Sequence, residues 1–305
     1  MMEWKVRKRI LQPDRERPWW AHSALAPSPL LRGDTIRVYV GGIDAEGISS
    51  IGYVDVAADD PAKVLAVSQE PLLVKGRPGM FDDNGVFPAS VARVNGRVLL
   101  YYTGFEICEK IRYRMFGGLA VSDDDGDTFR RINEAPVMDR AQEGLYFRGG
   151  PSVAADEAGL RAVYSAGGEW AFIGDRLRPT YDIYGSVSPD GEAFPTAGRS
   201  LLRRQAGEHG LGRPQIVKAD GLYRMFFCVR TPDMRYASGY AESRDGWRWT
   251  RRDEALNLGH SPPGSWDSEM VYFPNFIDTG SRRYVFYIGN DFSRAGFGYA
   301  ELASW

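Results

Sequence analysis

The chain has 305 residues, enough for one large domain or two average ones, and at 43% hydrophobic and 26% charged it can build a full core, which excludes disorder, collagen and coiled coil. Its net charge of -2, from 38 basic and 40 acidic side chains, lacks the basic excess of a general nucleic-acid binder. Eight Trp, 16 Tyr, 15 Phe and 35 Gly, against three His and two Cys, read as an all-β chain with many tight turns. The start, Met1 to Leu11, carries basic residues without an apolar stretch, so no signal peptide is expected there. No run approaches 18 apolar residues, so the expectation is a cytoplasmic protein with no membrane span. Cys108 and Cys228 have no metal-ligand spacing, and Cys228, in the run Met225 to Val229, reads as a buried thiol.

Along the chain one pattern recurs: a proline, a short apolar strand, a turn with glycine, and a second strand rich in Tyr or Phe. The prolines are Pro27, Pro88, Pro151, Pro214 and Pro274, spaced 61, 63, 63 and 60 residues apart. Each copy predicts a β-hairpin, with Asn95-Gly96 and Asp220-Gly221 as two-residue turns. A third strand and a Ser-x-Asp-Gly-type turn follow, as at Ser122 to Phe129, Ser188 to Phe194 and Ser243 to Trp249. Copy one lacks that turn, and copy five stops before it. The segment Trp4 to Ile10 resembles the fourth strand of copy four, Trp247 to Arg252, and is placed to complete the last copy. Radially repeated four-stranded units are β-propeller blades. The expected fold is therefore an all-β, five-bladed β-propeller, four antiparallel strands per blade, with the N-terminal strand closing the last blade. It forms one domain over 1–305, with blades at about 15–76, 77–139, 140–205, 206–262, and 263–305 plus 2–12. A solenoid would repeat at a shorter interval, and a sandwich would not repeat at sixty residues.

In a propeller the first strand of each blade lines the central channel, so a fixed offset before each proline marks one mouth. Five residues before the prolines stand His22, Asp83, Tyr146, His209 and Glu269. Asp82, Arg148, Glu208, Arg213, Trp266 and Asp267 lie close by. Carboxylates, His, Arg and rings converging at one mouth suit a sugar or phosphosugar. The expected catalytic residues are Asp83, Glu208 and Glu269, with Glu208 as general acid and Asp83 as base or water-positioning group. Substrate-binding residues are His22, Asp82, Tyr146, Arg148, His209, Arg213, Trp266 and Asp267. Duller readings stand beside these: turn residue for Asp83, loop carboxylate for Glu208, loop caps for Asp267 and Glu269, ion-pair partner for Arg213. No cofactor is expected. A structural calcium, or a channel metal on His22, His209, Asp83 and Glu269, is the alternative those residue types allow.

The segments Phe81 to Pro88, Tyr101 to Gly104, Gly118 to Ser122, Gly239 to Ser243, Trp266 to Met270, and Tyr287 to Asp291 with Gly296 to Ala300 resemble the five-bladed propellers of glycoside hydrolase families 32, 43, 62, 68, 117 and 130, in a glycosidase-like branch. The segment Ser122 to Phe129 also looks like the Asp-box of sialidases, whose expected role is to hold a hairpin turn. The resemblance implies a base or nucleophile Asp in blade one, an orienting Asp in blade two and an acid Glu in blade three. Asp83 or Asp82 matches the second. Blade one has Trp20-Ala-His22-Ser-Ala instead, and Glu143 is three residues out of register in blade three. Three readings follow: a glycoside hydrolase or transglycosidase, a phosphate-dependent phosphorylase or sugar-phosphate enzyme, and a non-catalytic sugar-binding propeller. The expected partner is a carbohydrate or sugar-phosphate ligand, with neither nucleic acid nor membrane.

Overall fold

A computed structural model describes residues 1–156 and 159–305 of the chain. It is nearly all-β, with two four-residue helices, α1 (Asp253–Leu256) and α2 (Asn290–Ser293), and a 3-10 turn at Pro18–Trp20. The strands form five consecutive four-stranded antiparallel units. The first is β2 (Ser23–Arg32), β3 (Thr35–Ile43), β4 (Ser49–Ala57) and β5 (Val64–Val67). The second is β6 (Val86–Val94), β7 (Arg97–Ile107), β8 (Tyr113–Ser122) and β9 (Arg130–Arg131). The third is β10 (Phe147–Asp156), β11 (Gly159–Ile173), β12 (Arg176–Ser188) and β13 (Arg199–Leu202). The fourth is β14 (Gly210–Ala219), β15 (Leu222–Arg230), β16 (Ala237–Ser243) and β17 (Thr250–Arg251). The fifth has β18 (Tyr272–Asp278), β19 (Arg283–Ile288) and β20 (Phe297–Ser304), and its outer strand is β1 (Glu3–Leu11) from the other end of the chain.

All five repeat prolines fall within the first strand of a unit, and at each the antiparallel register shifts by a bulge. A proline has no N–H to give a ladder, and a bulge is where a strand tolerates that loss. The residue before the proline has positive φ in four units: Ala26 (56°), Gly150 (66°), Arg213 (45°) and Phe273 (55°). The hairpin turns Asn95-Gly96 and Asp220-Gly221 have positive φ at both residues, as a type I′ turn requires. The turn of the third hairpin, at 157–158, lies outside the described residues.

The first strands pack in the cyclic order β2, β6, β10, β14, β18 and back to β2. The apolar core is correspondingly split into slabs between neighbouring units. One slab joins Ile36, Val38 and Val54 of the first unit to Tyr284, Phe286 and Tyr299 of the fifth. Others join the first unit to the second and the third to the fourth. Second strands are therefore buried on both faces, which explains their runs of bulky residues such as Leu99 to Tyr102 and Met225 to Cys228, all fully buried. Each such side chain contributes roughly 1.5–3 kcal/mol of burial. Cys228 is among them, and burial pushes its thiol up to about 12.

The Ser-x-Asp turns lock the outer edge. In the second unit the Gly126 N–H donates to Ser122 Oγ (2.7 Å) and the Thr128 N–H to Asp124 Oδ1 (2.9 Å). The Gly126 carbonyl then accepts from Tyr39 of the preceding unit (3.0 Å), and Gly191 of the third unit accepts likewise from Tyr101 (2.8 Å). These turns are joints between units, as their expected structural role requires.

Candidate functional site

The leading ends of the first strands, together with the far ends of the second strands, enclose a cavity of about 550 Å³. Its size falls in the range of small-ligand sites. All five units contribute from their first strands: Leu25, Phe87, Phe147 with Gly150, Gly212 with Arg213, and Tyr272 with Phe273. Further aromatic wall comes from Phe105, Tyr113, Trp170, Tyr181, Tyr236 and Phe292. The rings interlock edge to face, Phe105 on Tyr113 at 5.9 Å and Tyr113 on Trp170 at 5.1 Å, which fixes their planes. The third unit shapes one side. Its β11 and β12, at 15 and 13 residues, are the two longest strands described, and their hairpin carries Trp170, Arg176, Leu177, Arg178 and Pro179 to the wall.

Charge is distributed one way. Arg112, Arg176, Arg178, Arg213 and Arg230 line the cavity, and among the described residues none of the five makes an ion pair. No Asp or Glu among the described residues lines it. Arg213 is spent on the fold. Its guanidinium donates to the carbonyls of Ala26 (2.8 Å), Pro27 (3.0 Å), Phe273 (3.2 Å) and Pro88 (3.4 Å) and to Ser28 Oγ (2.8 Å). One side chain of the fourth unit thus ties the first, second and fifth units at the cavity floor. Burial lowers it to about 10, which leaves it charged at neutral pH. Arg230 donates to the Tyr272 hydroxyl (2.7 Å) and lies 5.0 Å from the centre of the Tyr236 ring, a cation–π contact. Arg178 reaches Met234 Sδ (3.1 Å) and the Pro232 carbonyl (3.3 Å), and its Nε is buried without a partner.

His209 sits beside this cluster, 1% exposed. Its Nδ1 lies 3.4 Å from the Pro179 carbonyl, which can only accept, so Nδ1 carries the proton. Nε2 is then a lone pair, buried with no partner. Burial, reinforced by the Arg230 charge, lowers the imidazole to about 4, so His209 is neutral at physiological pH.

The sequence-predicted residues divide sharply. Of the expected site set, His209 and Arg213 line the cavity. Tyr146 is buried just behind it, its ring 5.5 Å from Trp170 and its hydroxyl donating to the Thr180 carbonyl (2.6 Å). The three expected catalytic carboxylates do not meet there. Glu208 makes a two-pronged ion pair with Arg251 (2.6 and 2.9 Å) and accepts from the Gln205 N–H (2.8 Å), so it holds a loop to β17. Asp83 accepts from the Gly79 N–H (3.0 Å) in a turn and borders a separate groove with Arg77, Glu134 and Arg140. Glu269 is exposed, with its own N–H bonded to Asn290 Oδ1 (2.8 Å).

Four expected binding residues are likewise committed elsewhere. Asp82 is completely buried against Arg131 (2.8 Å). Asp267 is buried between Arg7 (2.6 Å) and the Tyr287 hydroxyl (2.9 Å), where it pins β1 to the fifth unit. Trp266 stacks on Tyr287 at 5.1 Å in that same joint. Arg148 pairs with Glu143 (3.2 Å), which also accepts from Tyr164 (3.1 Å) and the Gly198 N–H (3.1 Å). His22 is exposed, and its backbone N–H donates to the Ile43 carbonyl (2.9 Å). The metal alternative on His22, His209, Asp83 and Glu269 fails on placement, because no three such side chains come together among the described residues. Arg112, Arg176, Arg178 and Arg230 were missed by the proline offset because they stand at the ends of second and third strands. The unusual length of the β11–β12 hairpin, with Arg176-Leu-Arg178-Pro179 on its return strand, is the sequence signal that points to two of them.

Over 305 residues and 99% of both chains, the sequence is 32% identical to the uncharacterized protein Rv1502 of Mycobacterium tuberculosis. The chain belongs to the Rv1502 family. No family model matches it. Among solved structures, a glycoside hydrolase superposes with a TM-score of 0.74 at 18% identity, covering 99% of this chain and 91% of that one. A glycoside hydrolase family 130 structure, from work on mannoside phosphorylases and hydrolases that target β-1,2-mannosidic linkages in Candida mannan, gives 0.72 at 14%, with 98% and 94% covered. The chain thus shares its fold with the propeller enzymes of the glycoside hydrolases. Among the described residues no helix is long and apolar enough to cross a membrane.

Proposed function

We propose that the chain is a single five-bladed propeller over 1–305, closed by its N-terminal strand, and that it is a carbohydrate-active protein whose cavity takes a sugar bearing phosphate. The observation that carries this reading is a ring-lined cavity with unpaired arginines and no carboxylate. Aromatic faces suit the apolar faces of a sugar ring, and guanidinium groups suit phosphate, which they bind through paired N–H donors. An unpaired cationic cluster that is partly desolvated is costly when empty, and an anionic ligand supplies the missing counter-charge.

Of the three classes, the sugar-phosphate reading is supported best. Hydrolysis by two carboxylates needs an acid and a base on either side of the scissile bond. Asp83, Glu208 and Glu269 draw no support for those roles from this cavity. Arg112, Arg176, Arg178 and Arg230 would hold the phosphate. The neutral His209 imidazole would accept a proton or hydrogen bond from a sugar hydroxyl once a side-chain shift opens Nε2.

Titration calorimetry with glucose, glucose 1-phosphate, glucose 6-phosphate and inorganic phosphate tests the reading. Phosphates should bind and glucose should not, and affinity should fall with salt. A hydrogen bond to a charged group is worth about 1.5–3 kcal/mol, so Arg178→Gln and Arg230→Gln should each weaken phosphate binding roughly 10- to 150-fold. Equal affinity for glucose and its phosphates, or unchanged binding in both variants, would sink it.

A further inference from the structure

The apolar side chains left in solvent are not scattered. Apart from Met1 and three residues of the first two units, the large exposed ones are Phe172 (75%), Ile107 (61%), Leu145 (48%) and Leu177 (41%). All four lie in the cavity lining or against the hairpin that forms part of its wall. Ile107 and Leu177 are themselves part of its lining. Phe172 pairs directly across the hairpin with Leu177, one pair beyond Ala171 and Arg178 and two beyond Trp170 and Pro179. Cross-strand partners, and residues two apart along a strand, share a face. Trp170, Pro179, Leu177 and Phe172 therefore form one apolar track running from the aromatic wall out to the hairpin tip. Leu145 lies against the same hairpin at Gly168. Arg176 and Arg178 alternate with Leu177 and Pro179 along β12 and, with Arg112, line the same cavity; Glu169 and Asp175 are the acids of that hairpin.

An apolar collar continuous with a cationic cavity is complementary to an amphiphile with an anionic head. We propose that the ligand is a sugar phosphate esterified to an apolar chain, with the charged head in the cavity and the chain lying along Trp170, Leu177 and Phe172. This rests on the sugar-phosphate reading of the site. Charge favours this occupant over a second copy of the protein: an isologous contact through the collar would bring two sets of Arg112, Arg176 and Arg178 together, with only Glu169 and Asp175 of each hairpin to offset them.

The test is calorimetry on the full chain with inorganic phosphate, ethyl phosphate and n-decyl phosphate, the last kept below its micelle concentration. A buried methylene is worth about fourfold in affinity, so even partial coverage of the chain should make decyl phosphate at least about tenfold tighter than ethyl phosphate. The variant Phe172→Ser alters an exposed side chain that does not line the cavity. It should bring the decyl-to-ethyl ratio within about threefold while leaving inorganic phosphate binding unchanged. Equal binding of the two esters by the unaltered protein, with inorganic phosphate still bound, overturns the tail and spares the phosphate site. Failure of inorganic phosphate to bind overturns both. Sedimentation supplies the last arm: a dimer abolished by Phe172→Ser would assign the collar to self-association and overturn the proposal.

Discussion

Lowering the pH from 7.5 to 4.5 should destabilise this protein through His209, and the size of the effect follows from its surroundings. In the fold the imidazole is held neutral down to about 4 by burial and by Arg230, while in the unfolded chain it titrates near 6.5. The unfolded state therefore binds the proton first, so stability is lost as pH falls through 6.5 and the loss levels off below about 4. At pH 4.5 the unfolded imidazole is almost wholly protonated and the folded one only partly, which corresponds to a loss of about 2.5 kcal/mol relative to pH 7.5. For 305 residues the unfolding entropy is roughly 0.64 kcal/mol/K, so this is about 4 °C in Tm. Carboxylates add their own pH dependence, so the measurement is a difference: thermal unfolding of the native chain and His209→Gln at both pH values. The native chain should lose about 4 °C more than the variant between pH 7.5 and 4.5. If both lose the same within 1 °C, or if NMR shows His209 titrating above 6, the buried neutral imidazole is wrong and so is its place in the site.

Arg131→Met strips the completely buried Asp82 of its ion-pair partner and should cost about 3–5 kcal/mol, read as a 5–8 °C drop in Tm with phosphate affinity unchanged. Gly126→Ala puts a methyl group into the Tyr39 hydroxyl at a residue with φ of 89°, and chemical denaturation should show a loss of more than about 1 kcal/mol without any change in ligand binding. Asp83→Asn and Glu269→Gln should leave sugar-phosphate affinity within about twofold by calorimetry, because neither side chain lines the cavity; a larger loss in either would restore that carboxylate to the site.

The architecture was legible because it is repeated. A proline that recurs every sixty residues, followed each time by an apolar hairpin, is a pattern that averages out the ambiguity of any one strand. Pairing of Trp4 to Ile10 with the fifth unit was legible for the same reason: an incomplete last copy needed a strand. The location of the cavity was legible too, since the prolines mark first strands and their leading ends do enclose it. The chemistry there was not. Asp82, Glu208 and Asp267 looked like convergent acids because their partners are remote in sequence. Arg131 is 49 residues from Asp82, Arg251 is 43 from Glu208 and Arg7 is 260 from Asp267. An acid reads as free until the fold brings its cation, and here the fold uses those cations to join loops and units.

The register error has a backbone cause. A strand counted back from the proline at period two should present positions one, three and five to one face. The bulge breaks that count. With Ala26, Gly150, Arg213 and Phe273 turned into the left-handed region, the chain reverses its alternation next to the proline, so positions one and two both reach the cavity in the fourth and fifth units. At position five His22 and Glu269 are exposed, Asp83 borders a separate groove, Tyr146 is buried behind the wall and His209 lines the cavity. Left-handed backbone at a non-glycine residue is unfavourable, more so for a ring as large as Phe273. It recurs here at the first, fourth and fifth units, facing the same space. Arg213 meets that cost with five hydrogen bonds to three other units, so the strained residue is also the one that holds the cavity floor together. Strain that the surrounding strands maintain at a ligand-sized cavity is what a preorganised binding site needs, and under the proposed function specificity would lie in the arginines at the strand ends rather than in the acids beside the prolines.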